Sequence, residues 1–204
     1  MPMTILLATT SRHKAGEIAA LLSDIPGLQL QTLNDFPATE APEEDGDTMA
    51  QNARIKAEFY SQHFGVRVLA DDSGLEVDAL NGEPGVYSAR WADGSDADRN
   101  AAVLSRMLEV EVEDRNARYR CTLCLATPET IEWEGEGICE GEIALESRGE
   151  SGFGYDPIFG ITLATGADSE FVGKTLGEVA PSVKASVSHR ARATRQLAEH
   201  LNSR

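Results

Sequence analysis

Asp71 and Asp72 stand side by side where the apolar run Val66-Arg67-Val68-Leu69-Ala70 stops, and Ser73 and Gly74 follow at once. A carboxylate at the end of a buried strand is costly unless water, a counter-charge or a metal ion stabilises it. In open α/β sheets that end is also where ligands bind. Adjacent strand residues point to opposite faces. The two aspartates are therefore expected to have different jobs, one accepting backbone hydrogen bonds and the other facing a cleft. An acidic junction between strand and turn, without chemistry, explains DDSG alone equally well.

Other groups of residues carry chemical potential of a matching kind. Thr9, Thr10 and Ser11 lie between an expected strand and an expected helix with Lys14 in its first turn. Free N–H groups and partial positive charge at a helix N-terminus suit phosphate, and the hydroxyls and Lys14 add donors. The chain lacks the GxxxxGK[ST] of a Walker loop there, and a capped helix with a surface lysine is the competing reading. Glu43, Glu44 and Asp45 precede a second helix, where carboxylates either complement the helix dipole or reach a metal ion. On that helix Thr48, Asn52 and Lys56 share one face, as a solvated stripe or as one that aims Lys56 at a polyphosphate.

Further along, Gly152 and Gly154 flank Phe153 ahead of Tyr155 and Asp156. Glycine lets backbone approach a ligand closely. The two aromatic rings suit stacking on a planar base, and Asp156 can accept hydrogen bonds from base or sugar. A loop anchored by two buried rings is the alternative. Lys184 and Ser188-His189-Arg190 gather potential cations near one helix start. Cations oppose the dipole there, which an anion or a base carbonyl opposite would relieve. Hard oxygen ligands, cations and an aromatic glycine-rich loop, without a nucleophilic triad, suit metal-assisted attack of water on a nucleotide phosphate.

The elements that must position these groups read as follows. Residues 4–8 form a buried strand and residues 12–23 a helix burying Ile18, Leu21 and Leu22. Residues 24–46 are acidic, proline-interrupted and irregular. A capping box of Thr48 and Gln51 opens the second helix. Strands are expected at 66–70 and 75–80, a turn at Asn81–Gly85, and a helix capped by Asp96 or Asp98 that runs to about Leu108. A β pattern spans about Asn116 to Leu145, in which Glu132, Glu134 and Glu136 form one solvated acidic face. Helical patterns at about 174–180 and 188–202 close the chain, the latter capped by Ser188.

The 204 residues can bury one sizeable core. With 34 acidic and 18 basic residues the formal net charge is −16, which argues against duplex nucleic acid as the main partner but leaves small phosphorylated ligands open. Cys121 and Cys124 fall three apart in a strand pattern and so face opposite sides; all three cysteines are expected to be structural. No secretory signal or apolar membrane span is read, and a reducing, cytoplasmic setting is expected.

The motifs Ala8-Thr9…Lys14…Glu17, Glu44-x3-Thr48-x3-Asn52-Ala53-x2-Lys56-Ala57 and Ala70-Asp71-Asp72-Ser73-Gly74-Leu75-x-Val77-Asp78-Ala79-Leu80 occur in order. Gly85-x-Tyr87-Ser88-Ala89-Arg90, Gly152-Phe153-Gly154-Tyr155-Asp156-Pro157-Ile158-Phe159, Gly173-Lys174-Thr175 and Ser188-His189-Arg190 complete the series. Together they resemble the inosine triphosphatase-like family, house-cleaning pyrophosphatases for noncanonical purine nucleoside triphosphates, over nearly the whole chain. The resemblance implies an α/β fold: an elongated mixed β-sheet flanked by helices, one domain over residues 1–204 in two lobes, with the active site in the cleft between them. It also implies a homodimer, a Mg²⁺ requirement, and hydrolysis of ITP, dITP and XTP to the monophosphate and pyrophosphate.

By position, Glu44 and Asp72 correspond to the metal site, and Asp72 to the base that activates water. Thr9, Thr10, Ser11, Arg12, His13 and Lys14, with Lys56 and Ser73, correspond to the phosphate-contacting set. Phe153, Gly154, Tyr155, Asp156, Lys184, His189 and Arg190 correspond to the set around nucleoside and base. The chain departs from the family pattern at Thr10-Ser11, where Gly-Asn is usual, at Met49 and Gln51, where Phe and Glu are common, and at Ala191, where Gly is usual. The rival readings are a Maf-like pyrophosphatase of other base specificity and a nucleotide-sensing module without turnover. An aspartyl-phosphate phosphatase built on Asp71 would need a DxD arrangement, which is missing.

Overall fold

Short apolar runs punctuated by hydroxyl caps and glycines set the order of elements, which the computed structural model describes for residues 3–203. Strand β1 (Met3–Leu7) leads into helix α1 (Arg12–Leu22), whose N-cap Ser11 is extended and accepts a hydrogen bond from the Lys14 amide. Strand β2 (Leu28–Thr32) follows and runs parallel to β1, with Met3 opposite Leu28. The acidic stretch 24–46 is therefore not irregular throughout. Its Leu-Gln-Leu-Gln-Thr alternation is short but pairs at the end of the sheet.

Helix α2 (Met49–Phe64) opens on the expected Thr48–Gln51 capping box and ends at Gly65 in the left-handed region, φ 66°. Strand β3 (Val68–Val77) lies parallel to β1, with Leu6 opposite Val68. It runs unbroken through Asp71, Asp72, Ser73 and Gly74, so the two strands expected on either side are one. The carboxylates lie in mid-strand, not at a strand-to-turn junction. Gly74 takes no positive φ, and counter-charges described below relieve the cost of burial. The turn comes later, where Asn81 has φ 56°.

Helix α3 (Asp96–Arg106) is capped by Ser95, whose hydroxyl accepts from the Asp98 amide while Asp98 closes the capping box. Ser95 therefore takes the cap expected of an aspartate, and Asp98 serves at the third helical position. Strands β4 (Asn116–Ala126) and β5 (Ile131–Ile143) follow, then β6 (Phe159–Gly160), antiparallel to β5. Around 174–180 only a single 3₁₀ turn forms, Leu176–Glu178. The helical run starts at Pro181, a residue suited to a first turn, giving α4 (Pro181–Val187) and then α5 (His189–Asn202). The sheet order is β2-β1-β3-β4-β5-β6, with parallel pairing at β1 and antiparallel pairing at β6.

The chain divides into two compact units. The first comprises Met1–Asp72, Cys121–Gly137 and Arg190–Arg204. Strand alternation gives it two apolar layers: Ile5, Leu7, Leu69, Cys121 and Leu123 pack with α1 and α5, whereas Leu6, Ala8, Val68, Ala70 and Cys124 pack with α2. Cys121 and Cys124 thus lie on opposite sides, as their spacing predicts. The acidic face of β5 is only partly solvated. Glu132 pairs with Arg67, and Glu134 with Arg54 at 2.6 Å. The second unit, Ser73–Arg120 and Ile138–His189, has one core built from Leu75, Val77, Val103, Met107, Tyr119, Ile143 and Phe159.

Candidate active site

In the first unit, neighbouring residues of β3 engage different helices. Asp71 is buried, with its Oδ2 3.0 Å from Lys14 Nζ of α1 and 3.6 Å from Arg190 Nε of α5. Arg190 is itself buried, and its guanidinium donates to Glu17 Oε2 at 2.6 Å. Burial pushes the Asp71 carboxyl up, but the charges of Lys14, Arg190 and Lys56 more than offset it and hold the group at about 2. Against the desolvation of its own burial, Asp71 and Glu17 hold the Arg190 guanidinium above its ordinary value.

Asp72 points to the α2 side. Asn52 Nδ2 lies 3.4 Å from its Oδ2, and Lys56 Nζ lies 3.6 Å from its Oδ1. Lys56 also donates to Glu44 Oε2 at 2.7 Å. Asn52 is fixed at its other end, where Oδ1 accepts from the Gly46 amide at 2.8 Å. The i, i+4 spacing of Asn52 and Lys56 on α2 therefore faces the carboxylates. Burial raises the pKa of Asp72, reinforced by Glu44 and Asp71 and opposed by Lys56 and Lys14. Burial lowers that of Lys56, yet Asp72, Asp71 and Glu44 leave it raised overall. Asp71 is thus an ionised anchor, while Asp72 is a carboxylate with a stronger hold on a proton.

The hydroxyl turn that precedes α1 is partly engaged in its own capping. Thr9 Oγ1 accepts from the Ser11 amide at 3.1 Å, and Ser11 Oγ accepts from the Lys14 amide at 3.4 Å. Thr10, Arg12 and His13 are exposed beside it.

The remaining expected site residues belong to the second unit, and so does Ser73. Asp156 is buried. Its Oδ2 accepts from Lys184 Nζ at 2.6 Å and from the Phe153 amide at 2.8 Å, and its Oδ1 accepts from Tyr119 Oη at 3.4 Å. Lys184 Nζ also lies 4.1 Å from the centre of the Phe153 ring. Lys184 is in the last turn of α4, where a cation complements the helix dipole instead of opposing it. His189 stacks on Tyr119 with ring centres 4.5 Å apart. Phe153 is half-buried, whereas Tyr155 is buried and donates to the Ser88 carbonyl at 2.7 Å. Burial pushes the Tyr155 hydroxyl up to about 12. Sequence reasoning did not find Tyr119. The only signal was its place on the inward side of the Arg-Tyr-Arg-Cys alternation.

Glu44 and Asp72 converge on one cationic centre, the Lys56 ammonium. Two hard carboxylates around one point suit Mg²⁺, which is typically held by one or two carboxylates together with substrate phosphates and water. Among the described residues no three or more His, Cys, Asp or Glu side chains form a protein-only metal cage, and Mg²⁺ does not ask for one. The donor set therefore fits the ion that the motifs imply.

The family model that matches, described as the Ham1 family, covers residues 5–200. The chain belongs to the Ham1 family. A dITP/XTP pyrophosphatase from Geobacillus kaustophilus is 45% identical over 198 residues, covering 96% of this chain and 92% of the relative. One from Exiguobacterium sibiricum is 40% identical over 203 residues, covering 98% of each. The solved HAM1 protein from Coxiella burnetii superimposes with a TM-score of 0.87 at 36% identity, covering 99% of this chain and all of that one. The Ham1 fold, a mixed sheet flanked by helices, is the one the motifs imply. Among the described residues, no Ham1-chain helix is long and apolar enough to cross a membrane.

Proposed function

We propose that this Ham1-family chain hydrolyses noncanonical purine nucleoside triphosphates, ITP, dITP and XTP, to the monophosphate and pyrophosphate. One observation carries the reading furthest. Lys56 is held between Glu44 and Asp72, in a chain whose relatives bear the name dITP/XTP pyrophosphatase.

Water attacks the α-phosphorus, the bond from that phosphorus to the bridging oxygen breaks, and pyrophosphate leaves. Asp72 takes the proton of the attacking water, a role that its raised affinity for protons supports. Lys14 and Lys56 meet the negative charge of the phosphate chain, and the Thr9–His13 turn and Ser73 add donors to it. Glu44 and Asp72 would hold Mg²⁺. When bound, the ion supplies positive charge against the phosphate oxygens. Asp71, ionised and clamped by Lys14 and Arg190, keeps Lys14 in place.

At the other end of the substrate, Phe153 offers a half-exposed ring for the base. Asp156, Lys184 and His189, with the backbone of Gly154 and Tyr155, supply polar groups around nucleoside and base. A 6-oxo purine presents an acceptor at C6, which such donors match. Adenine presents an amino group there and leaves them unpaired. The reading includes a homodimer acting in the cytoplasm on the nucleotide pool. The net charge of −16 supports a small phosphorylated ligand over nucleic acid.

The test is product analysis with ITP, XTP, dITP, ATP and GTP in Mg²⁺. ITP and XTP should exceed ATP in kcat/KM by at least about a hundredfold, the cautious end of what unpaired buried groups impose. They should exceed GTP likewise, because GTP shares the 6-oxo edge but carries a 2-amino group that steric fit or an unmatched donor must exclude. Turnover should vanish on thorough chelation and return with Mg²⁺. Equal hydrolysis of ATP and ITP would refute the proposed base choice, and release of orthophosphate would refute the reaction. Light scattering of the purified protein checks the dimer, and a monomeric mass would remove it.

A further inference from the structure

Backbone hydrogen bonds hold the loop that carries Phe153 and Asp156 on either side of Gly154, from the Ser151 amide to the Gly177 carbonyl at 2.9 Å and from the Asp156 amide to the Phe153 carbonyl at 3.3 Å. Gly152 and Gly154 take positive φ of 78° and 64°, a region open to glycine at little cost but giving no rigidity. A Cβ at Gly152 would collide with the Asp156 carboxylate, so no stiffer residue fits there. On the side facing α3 the loop borders a cavity of about 420 Å³, lined by Ala97, Ala101 and Leu104 with Ser151 and Phe153. That cavity leaves open volume beside the loop.

Two α3 side chains reach the loop. Asp96 Oδ2 accepts from the Gly154 amide at 2.6 Å, while its other carboxylate oxygen pairs with Arg99. Asn100 Nδ2 donates to the Gly154 carbonyl at 3.1 Å. Asn100 is only 4% exposed, and among the described residues its Oδ1 finds no hydrogen-bond partner. Burying an amide with one end unsatisfied costs free energy, so its donation to Gly154 is the interaction that fixes its place. The two residues stand four apart on one face of α3 and grip both the N–H and the C=O of a single residue.

We propose that Asp96 and Asn100 are positioning residues that hold Gly154, and through it Phe153 and Asp156, in register for the nucleobase, and so set affinity for the base without touching substrate. This rests on the reading of the Phe153–Asp156 loop as base-facing. Losing the grip lets the loop recoil toward the cavity, which weakens what the base contributes and leaves what the phosphates contribute.

The experiment compares inhibition by inosine monophosphate, which carries a base, with inhibition by inorganic pyrophosphate, which does not. The proteins are the full-length wild type, Asp96→Ala, Asp96→Asn and Asn100→Ala, each checked for an unchanged melting transition. In Asp96→Ala and Asn100→Ala, inhibition by the monophosphate should weaken by about tenfold, the factor of one hydrogen bond. Inhibition by pyrophosphate should stay within about twofold, well inside that factor. KM for ITP should rise while kcat holds. Asp96→Asn keeps an oxygen acceptor for the Gly154 amide and should recover most of the affinity. Amide exchange at Gly154 should quicken in the two alanine variants. If both inhibitors weaken together, or neither does in a folded variant, the clamp is overturned. If the base adds nothing to inhibition of the wild type itself, the base-facing reading has failed and the proposal falls with it.

Discussion

The two carboxylates of β3 differ by one residue in sequence and by opposite shifts in proton affinity, and that difference decides how each variant should behave. Asp72→Asn removes the proposed proton acceptor while keeping the shape. Turnover should fall by at least about a hundredfold with the fold intact, as expected of a lost general base. Near-normal turnover in a folded variant would withdraw Asp72 from that role. Lys14→Ala and Lys56→Ala each remove a charged contact worth about 1.5–3 kcal/mol, so steady-state kinetics should show kcat/KM for ITP falling by more than tenfold in both. Asp71 makes a separate prediction about stability. Its folded pKa of about 2 lies below its ordinary value of 3.8, so its contribution is fully present above that value and is lost as pH falls toward 2. The contribution is about 2 kcal/mol. Urea midpoints measured from pH 5 down to pH 2 should therefore decline more steeply for the wild type than for Asp71→Asn. Parallel curves would mean that the ion pairs with Lys14 and Arg190 add nothing.

At the scale of elements, the site depends on how helices begin and where strands fail to end. The Thr48–Gln51 box places the first turn of α2, and Asn52 and Lys56 follow from it one and two turns on. Thr48→Ala should lower stability by about 1 kcal/mol through the lost cap. It should also raise KM for ITP, because fraying of that turn loosens Asn52. A denaturant titration beside steady-state kinetics checks both, and a stable variant with altered KM would show that Thr48 acts other than through the cap. Periodicity made α2 and the Ser95–Arg106 region legible because caps and apolar spacing are local. It missed the continuity of β3, since DDSG carries every mark of a turn. Cations brought in by α1, α2 and α5 help make mid-strand carboxylates tolerable. It also missed β2, a five-residue strand whose half-exposed pattern has too little apolar content to stand out from its acidic neighbours.

Across the whole molecule, the three cysteines report on global packing, because all are fully buried. Burial pushes the thiols of Cys121 and Cys124 up to about 12. Their folded pKa values lie above the ordinary value of 9.0, so their contribution holds below that value and is lost as pH rises through about 12. At pH 8 an aromatic disulfide reagent should label none of the three until denaturant unfolds the chain, and then all three. Rapid labelling of the native protein would contradict the cores as described. The cysteines sit in three separate apolar clusters, Cys121 and Cys124 in the two layers of one unit and Cys139 in the core of the other.

The sequence by itself determined the family, the order of most elements and the residue types of the site, because motifs, caps and alternation act over a few residues. It also separated Asp71 from Asp72 by the period of a strand. Which cation each would meet was decided by tertiary structure. Lys14 and Arg190 come to Asp71 from opposite ends of the chain, and Lys56 comes to Asp72 from the neighbouring helix. Tertiary structure likewise turned Arg190 into a buried partner of Glu17, and placed Tyr119 against His189 and Asp156. No local pattern encodes such pairings. They depend on which helices pack against which face of the sheet, and on the free energy that buried charges recover only when a partner of opposite sign is brought to them.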